Sequence, residues 1–93
     1  MRNLSADERK AIINDIEEKL HSDTITLAEA VKAIRVELYQ MTQTQYARFI
    51  KVSDKTLRDI EKGNTDPRCS VMDKVLRPGG LRLSAKKFER IVR

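Results

Sequence analysis

The chain has no tryptophan, one cysteine, one histidine, two prolines and three glycines. Each shortage excludes something. A single thiol, Cys69, cannot close an internal disulfide, and with His21 as the sole histidine no Cys/His metal cluster can be assembled. No metal and no cofactor are therefore expected. Two of the three glycines are adjacent, at Gly79 and Gly80, which leaves no glycine-rich loop to cradle a phosphate. His21 falls in a predicted linker, with no serine or carboxylate relay around it. A chain of 93 residues also offers little length for a pocket. No catalytic residue is assigned, and an enzyme is not expected. No apolar run approaches the roughly 18–20 residues of a membrane span. The opening MRNLSADERK lacks the apolar stretch of a signal peptide. The expectation is a cytoplasmic protein with no membrane contact. Aromatic side chains are confined to Tyr39, Tyr46, Phe49 and Phe88. The core must then be built from Leu, Ile, Val, Ala and Met, which suits small helices packed on one another. Cys69 is expected to join it as a small buried residue.

What is abundant is charge. Charged residues make up 35% of the chain and the net charge is +5. The charge is unevenly placed. Residues 1–26 hold four basic and six acidic side chains, a net of −2, whereas residues 27–93 hold fifteen and eight, a net of +7. A basic body behind an acidic leader points to a polyanionic partner, most often nucleic acid. The length fits one domain with a modest core, which a dimer interface would supplement.

Helix starts are clearly marked. Ser5 with Glu8, Thr26 with Glu29, and Thr42 with Gln45 each place a hydroxyl three residues before a side chain able to bond back to the helix start. Behind the first, Ile12, Ile13, Ile16 and Leu20 recur at helical spacing and predict a helix over 6–20. Its polar face carries at least as many acids as bases, so this helix suits a core or partner contact better than a membrane surface. Behind the second, Leu27, Val31, Ile34 and Leu38 predict a helix ending near Tyr39. Behind the third comes a short helix over 43–50, packed through Tyr46, Ala47, Phe49 and Ile50. Ser53 caps another over 54–62, with Leu57 and Ile60 inward and Gly63 at its end. Asp66-Pro67 reads as an N-cap with proline in the first helical position, opening a helix whose inward residues are Met72, Val75 and Leu76. Pro78-Gly79-Gly80 stops it. In the tail, Leu81 and Leu83 alternate with Arg82 like a short strand, and Phe88, Ile91 and Val92 fit a last helical turn or two. The fold predicted is all-α, a compact bundle of about five helices. It divides into a leader helix (1–25), a central domain (26–78) and a C-terminal tail (79–93).

The informative stretch is TQTQYARFIKVSDKTLRDIEKG, residues 42–63. Two helices of about eight residues are joined by a turn of three or four. Ala47 is small where they cross, Val52 fills the corner, and Leu57 and Ile60 face the first helix and its neighbours. The outward side of the second helix is polar throughout: Ser53, Asp54, Lys55, Thr56, Arg58, Asp59 and Lys62. This is the pattern of a helix-turn-helix, whose second helix enters the major groove. With LAEAVKAIR before it and Asp66-Pro67 after it, the ordered set Thr42-Gln43, Ala47, Val52-Ser53, Leu57, Ile60-Glu61-Lys62-Gly63 resembles the Cro/CI-type, or XRE, helix-turn-helix family over residues 27–78. The lambda repressor-like bundle is the fold this resemblance implies. The family often has glycine in the turn where this chain has Lys51. A residue with a Cβ there carries roughly 1–2 kcal/mol of left-handed strain, unless the turn bends differently.

The resemblance implies site residues. Gln43 would bond a backbone phosphate at the start of its helix, or else complete the cap. Ser53, Asp54, Lys55 and Thr56 would open the recognition helix onto base edges or flanking phosphates. Lys55 or Arg58 would donate to guanine, and Asp54 would either accept from cytosine or simply favour the positive helix start. Lys62, Asn64, Thr65 and Arg68 would touch phosphates. Glu61 would be structural, paired with Arg35. The function implied is a sequence-specific transcriptional regulator, a repressor, acting as a homodimer on double-stranded DNA with a palindromic operator. Leu81-Arg82-Leu83 is similar to the short strand that pairs subunits in HipB-like antitoxins. That likeness implies an antitoxin with a kinase-like toxin as protein partner. The leader helix offers a second apolar surface for dimerisation. The alternative is a protein-interaction module of the same fold that neutralises or scaffolds a partner without specific DNA binding.

Overall fold

A computed structural model describes residues 3–85. The helices follow the caps. Helix α1 (Ala6–His21) starts at Ser5, whose Oγ accepts from the Glu8 N–H at 3.1 Å while Glu8 Oε1 accepts from the Ser5 N–H at 2.8 Å. The same reciprocal pair opens α2 (Leu27–Ala33) at Thr26 and Glu29, and α3 (Gln43–Ile50) at Thr42 and Gln45. Each box satisfies two amides that the helix itself leaves without partners. Helix α4 (Asp54–Lys62) is capped by Ser53 and closed by Gly63 at φ 74°, where a left-handed residue is needed. Helix α5 (Cys69–Leu76) runs into a short 3-10 turn, Arg77–Gly79. The architecture is all-α, with no strand among the described residues.

One core unites these elements. Ile16 of α1, Ala30 and Val31 of α2, Tyr46 and Ala47 of α3, Leu57 and Ile60 of α4, and Val75 and Leu76 of α5 are all buried in it. The leader helix thus belongs to the same core as the central helices. Gly79 lies directly over Ile34, where a Cβ would come within 2.6 Å of Ile34 Cδ1. Two tyrosine hydroxyls tie the C-terminal part down. Tyr46 donates to the Val75 carbonyl at 2.8 Å and Tyr39 to the Pro78 carbonyl at 2.7 Å. Burial pushes the Tyr46 hydroxyl far above the usual tyrosine range, with smaller contributions from Tyr39 and Glu61.

The second helix ends at Tyr39 as its apolar stripe predicts, but its last six residues, Ile34–Tyr39, are wound as a π-helix. Gln40 closes it in the left-handed region (φ 55°). Arg35 holds the wide turn. Its carbonyl accepts from Gln40 and Met41, and its Nη1 donates to the Met41 carbonyl at 3.0 Å. Apolar spacing cannot announce such winding, because it is fixed by one side chain folding back on the backbone.

Several expectations need correcting. Leu27 and Phe49, expected in the core, are 41% and 51% exposed. Leu27 is the first residue of its helix. Phe49 leans on Tyr39 and Tyr46, with ring centroids 5.5 and 6.2 Å away, and leaves its other side open. Cys69 is exposed rather than buried, since α5 begins with it and its inward residues start at Met72. Asp66 is not an N-cap and Pro67 is not in the helix. The cap is Arg68, still extended at ψ 150°, and it makes no side-chain capping bond. The fixed φ of proline suits extended backbone as well as a first helical turn, so Pro67 alone could not place the start. In the tail Leu81 and Leu83 pack against the core and Arg82 is exposed, but residues 81–85 form no strand. The turn or two predicted around Phe88, Ile91 and Val92 lies outside the described residues.

Candidate nucleic-acid interface

Helices α3 and α4 are separated by a turn that Lys51 makes. It sits at φ 63°, ψ 49°, in the left-handed region that favours glycine. Its N–H bonds the Arg48 carbonyl at 3.3 Å, and the next N–H, of Val52, reaches back to the Ala47 carbonyl at 3.0 Å. These two bonds are those of a Schellman closure, which satisfies helix-end carbonyls and offsets part of the strain. The departure from glycine therefore leaves the left-handed turn intact. Lys74 of α5 adds a long bond to the Lys51 carbonyl at 3.5 Å.

Helix α4 divides cleanly into two sides. Leu57 and Ile60 are buried, while Ser53, Lys55, Arg58 and Lys62 are exposed. The spacing of three between Leu57 and Ile60 turns Lys55, Arg58 and Lys62 outward. No described part of the chain covers that flank.

The polar groups around α4 are of two kinds. One kind is bound into the fold. Glu61 takes a bidentate pair from Arg35, Nε to Oε2 at 2.7 Å and Nη2 to Oε1 at 2.9 Å, with side chains only 11% and 5% exposed for Arg35 and Glu61. Gln43 Nε2 also donates to Glu61 Oε1, at 3.1 Å. The pairing of Glu61 with Arg35 matches the sequence expectation. Gln43 is seen in a structural role, fastening the start of α3 to the end of α4. Asp54 likewise accepts from the Thr44 hydroxyl at 2.9 Å, linking the first turns of α3 and α4. It occupies the positive helix start, which matches the second of its two expected roles. Ser53 and Thr56 engage each other. The Ser53 Oγ accepts from the Thr56 N–H at 3.0 Å and donates to the Thr56 Oγ1 at 2.8 Å.

The other kind faces solvent. Lys55 Nζ lies 2.8 Å from Asp59 Oδ2. The hydrogen bond from Lys55 holds the Asp59 carboxyl below its ordinary range against some desolvation, and the charges of Lys55, Lys62 and Arg58 add to the effect. Arg58 makes no hydrogen bond or ion pair among the described residues. Lys62, Asn64, Thr65 and Arg68 are exposed at the end of α4 and along the segment leading to α5. The ten residues expected at the site thus gather around one helix and its flanks. Sequence reasoning missed Thr44, whose hydroxyl gives no periodic signal, and left Asp59 without a role. The spacing of four between Lys55 and Asp59 was the available clue.

Comparison with protein-family models, with curated proteins and with solved structures found no match to this chain. The ordered residues of the two-helix unit and its geometry are what bear on function. Among the described residues no group of His, Cys, Asp and Glu could hold a metal ion, and no helix is long and apolar enough to cross a membrane.

Proposed function

We propose that the protein is a sequence-specific DNA-binding regulator of the Cro/CI type that inserts the exposed flank of α4 into the major groove. The observation that carries this reading is the uncovered cationic side of α4, presented by a two-helix unit in which Gln43, Thr44, Asp54 and Glu61 are bonded internally. A rigid helix with its cations outward is what groove reading requires, and Arg58 is the group best placed to donate to a guanine edge. Lys62, Asn64, Thr65 and Arg68 would lie along the backbone and set register.

A single α4 reads only a few base pairs, so the proposal includes a homodimer on an inverted repeat with half-sites about 34 Å apart. The tail supports a contact of that kind. The Leu81 N–H bonds the Leu76 carbonyl and the Leu83 N–H bonds Asp73 Oδ1 at 2.8 Å. The pairing edge proposed for a second copy is that of the Arg82 and Ser84 amides, which alternate with the two already bonded. Repression, a cytoplasmic setting and an antitoxin role beside a toxin protein are proposals that follow from the family likeness alone.

Selection of bound sites from random duplex tests the reading, with an inverted repeat as the expected product. Arg58→Ala is expected to weaken binding to the selected site by about 1–3 kcal/mol and to relax one position of it. Equal loss on selected and random duplex makes Arg58 a phosphate contact and contradicts its assignment. Affinity should also fall steeply with salt and keep a sequence preference. Weak binding that is equal on every duplex favours the protein-interaction module.

A further inference from the structure

Helix α4 holds three carboxylates, and two of them are committed to the fold: Asp54 to the Thr44 hydroxyl and Glu61 to Arg35 and Gln43. The third, Asp59, has a different partner, the Lys55 ammonium, which is itself 79% exposed on the outward flank while Asp59 is 32% exposed. We propose that Lys55 and Asp59 form one donor–acceptor reading unit and that Asp59 is a specificity-determining residue selecting a G·C pair. This deepens the DNA-binding reading and rests on it.

Helix stability accounts for the pair only weakly. The favourable order places the acid toward the N-terminus and the base toward the C-terminus, in keeping with the helix dipole. Here the lysine comes first and the acid follows one turn later. Nor does general attraction to DNA account for it, since a carboxylate on the face that meets phosphates repels them. It repays that repulsion only by accepting a hydrogen bond from a base. In the major groove the available donors are cytosine N4 and adenine N6.

The neighbouring ammonium decides between them. It has three protons, so one can remain on Asp59 while others reach a base edge. Guanine offers two adjacent acceptors, N7 and O6, and its partner cytosine offers the donor N4 beside them. A G·C pair therefore presents acceptor, acceptor, donor, which matches an ammonium followed by a carboxylate. An A·T pair presents its N6 donor between two acceptors, N7 and O4, with the thymine methyl beyond. A carboxylate aimed at that N6 would meet acceptor lone pairs on both sides, with the ammonium covering only one.

Parallel selections from random duplex with the wild-type chain, Asp59→Asn and Lys55→Ala test the proposal, with circular dichroism and thermal unfolding confirming that each variant folds. The wild type is expected to return a motif with a fixed G·C at one position of each half-site. Asp59→Asn should lose that preference and admit adenine, whose N6 and N7 an amide can bond. The other positions should be kept, and binding to random duplex should rise several-fold. Lys55→Ala should relax the same position. A wild-type motif whose every position survives Asp59→Asn unchanged overturns the proposal alone. So does relaxation of different positions by the two variants. A wild type that selects no motif overturns it together with the DNA-binding reading.

Discussion

The two ion pairs of α4 differ in ways that separate their roles. Arg35–Glu61 is nearly removed from solvent, bidentate, and shared with Gln43 and the Met41 carbonyl. Lys55–Asp59 is a single ammonium–carboxylate bond at a similar distance, and it lies on the solvent-facing side of the helix. A charge out of solvent must keep its partner, because leaving the other charge alone there is expensive. A charge in solvent can exchange its partner for another at little cost. The first pair therefore fixes where α4 sits, and the second is free to meet a ligand.

The comparison is broken most directly at Glu61. Glu61→Ala is expected to lower stability by about 3–5 kcal/mol in urea unfolding, since Arg35 is left without its carboxylate in a nearly dry site. A loss below about 1 kcal/mol would erase the distinction between the two pairs. Next in size, Ala47→Leu is expected to cost roughly 1–3 kcal/mol, because Ala47 is fully buried on α3, which packs against α4. An unchanged melting temperature would mean that the contact between α3 and α4 is loose.

Tyr46→Phe should cost about 1 kcal/mol through the lost bond to the Val75 carbonyl. It also sharpens the role of burial through pH. The folded Tyr46 ionises only far above the usual range, whereas the unfolded chain releases that proton near pH ~10. The stabilisation it contributes is full below the unfolded value and is lost as pH rises through the folded one. Wild-type stability should thus decline above about pH 10, and Tyr46→Phe should flatten that decline in alkaline melts. The smallest effect is expected at Asp59. Asp59→Asn should lower the unfolding midpoint only slightly at neutral pH, because the pair is exposed, while changing DNA binding. Its depressed carboxyl favours the fold above the ordinary carboxylate range, and that favour fades as pH falls through its lower folded value. A large neutral-pH destabilisation would place it with Glu61 instead.

Local rules carried much of this structure into the sequence. Ser5, Thr26, Thr42 and Ser53 marked four helix starts because a cap is chemistry within four residues. Leu57 and Ile60 gave the inward side of α4, and hence the outward side, by spacing alone. What the sequence did not show depends on contacts between distant residues. The π-winding at Ile34–Tyr39 is held by Arg35, and the Thr44–Asp54 bond spans two helices. Phe49 fits a buried position by hydropathy, yet neighbouring aromatic rings cover only one of its sides. Pro67 was misplaced because its φ serves two conformations equally.

The most direct test of the central claim is amide chemical-shift mapping of the full chain as short duplex DNA is added at low salt, where even non-specific binding is populated. The account predicts perturbations concentrated at residues 43–44, 53–59 and 62–68. Perturbations confined to the open sides of Phe49 and Leu27, with α4 silent, would contradict it.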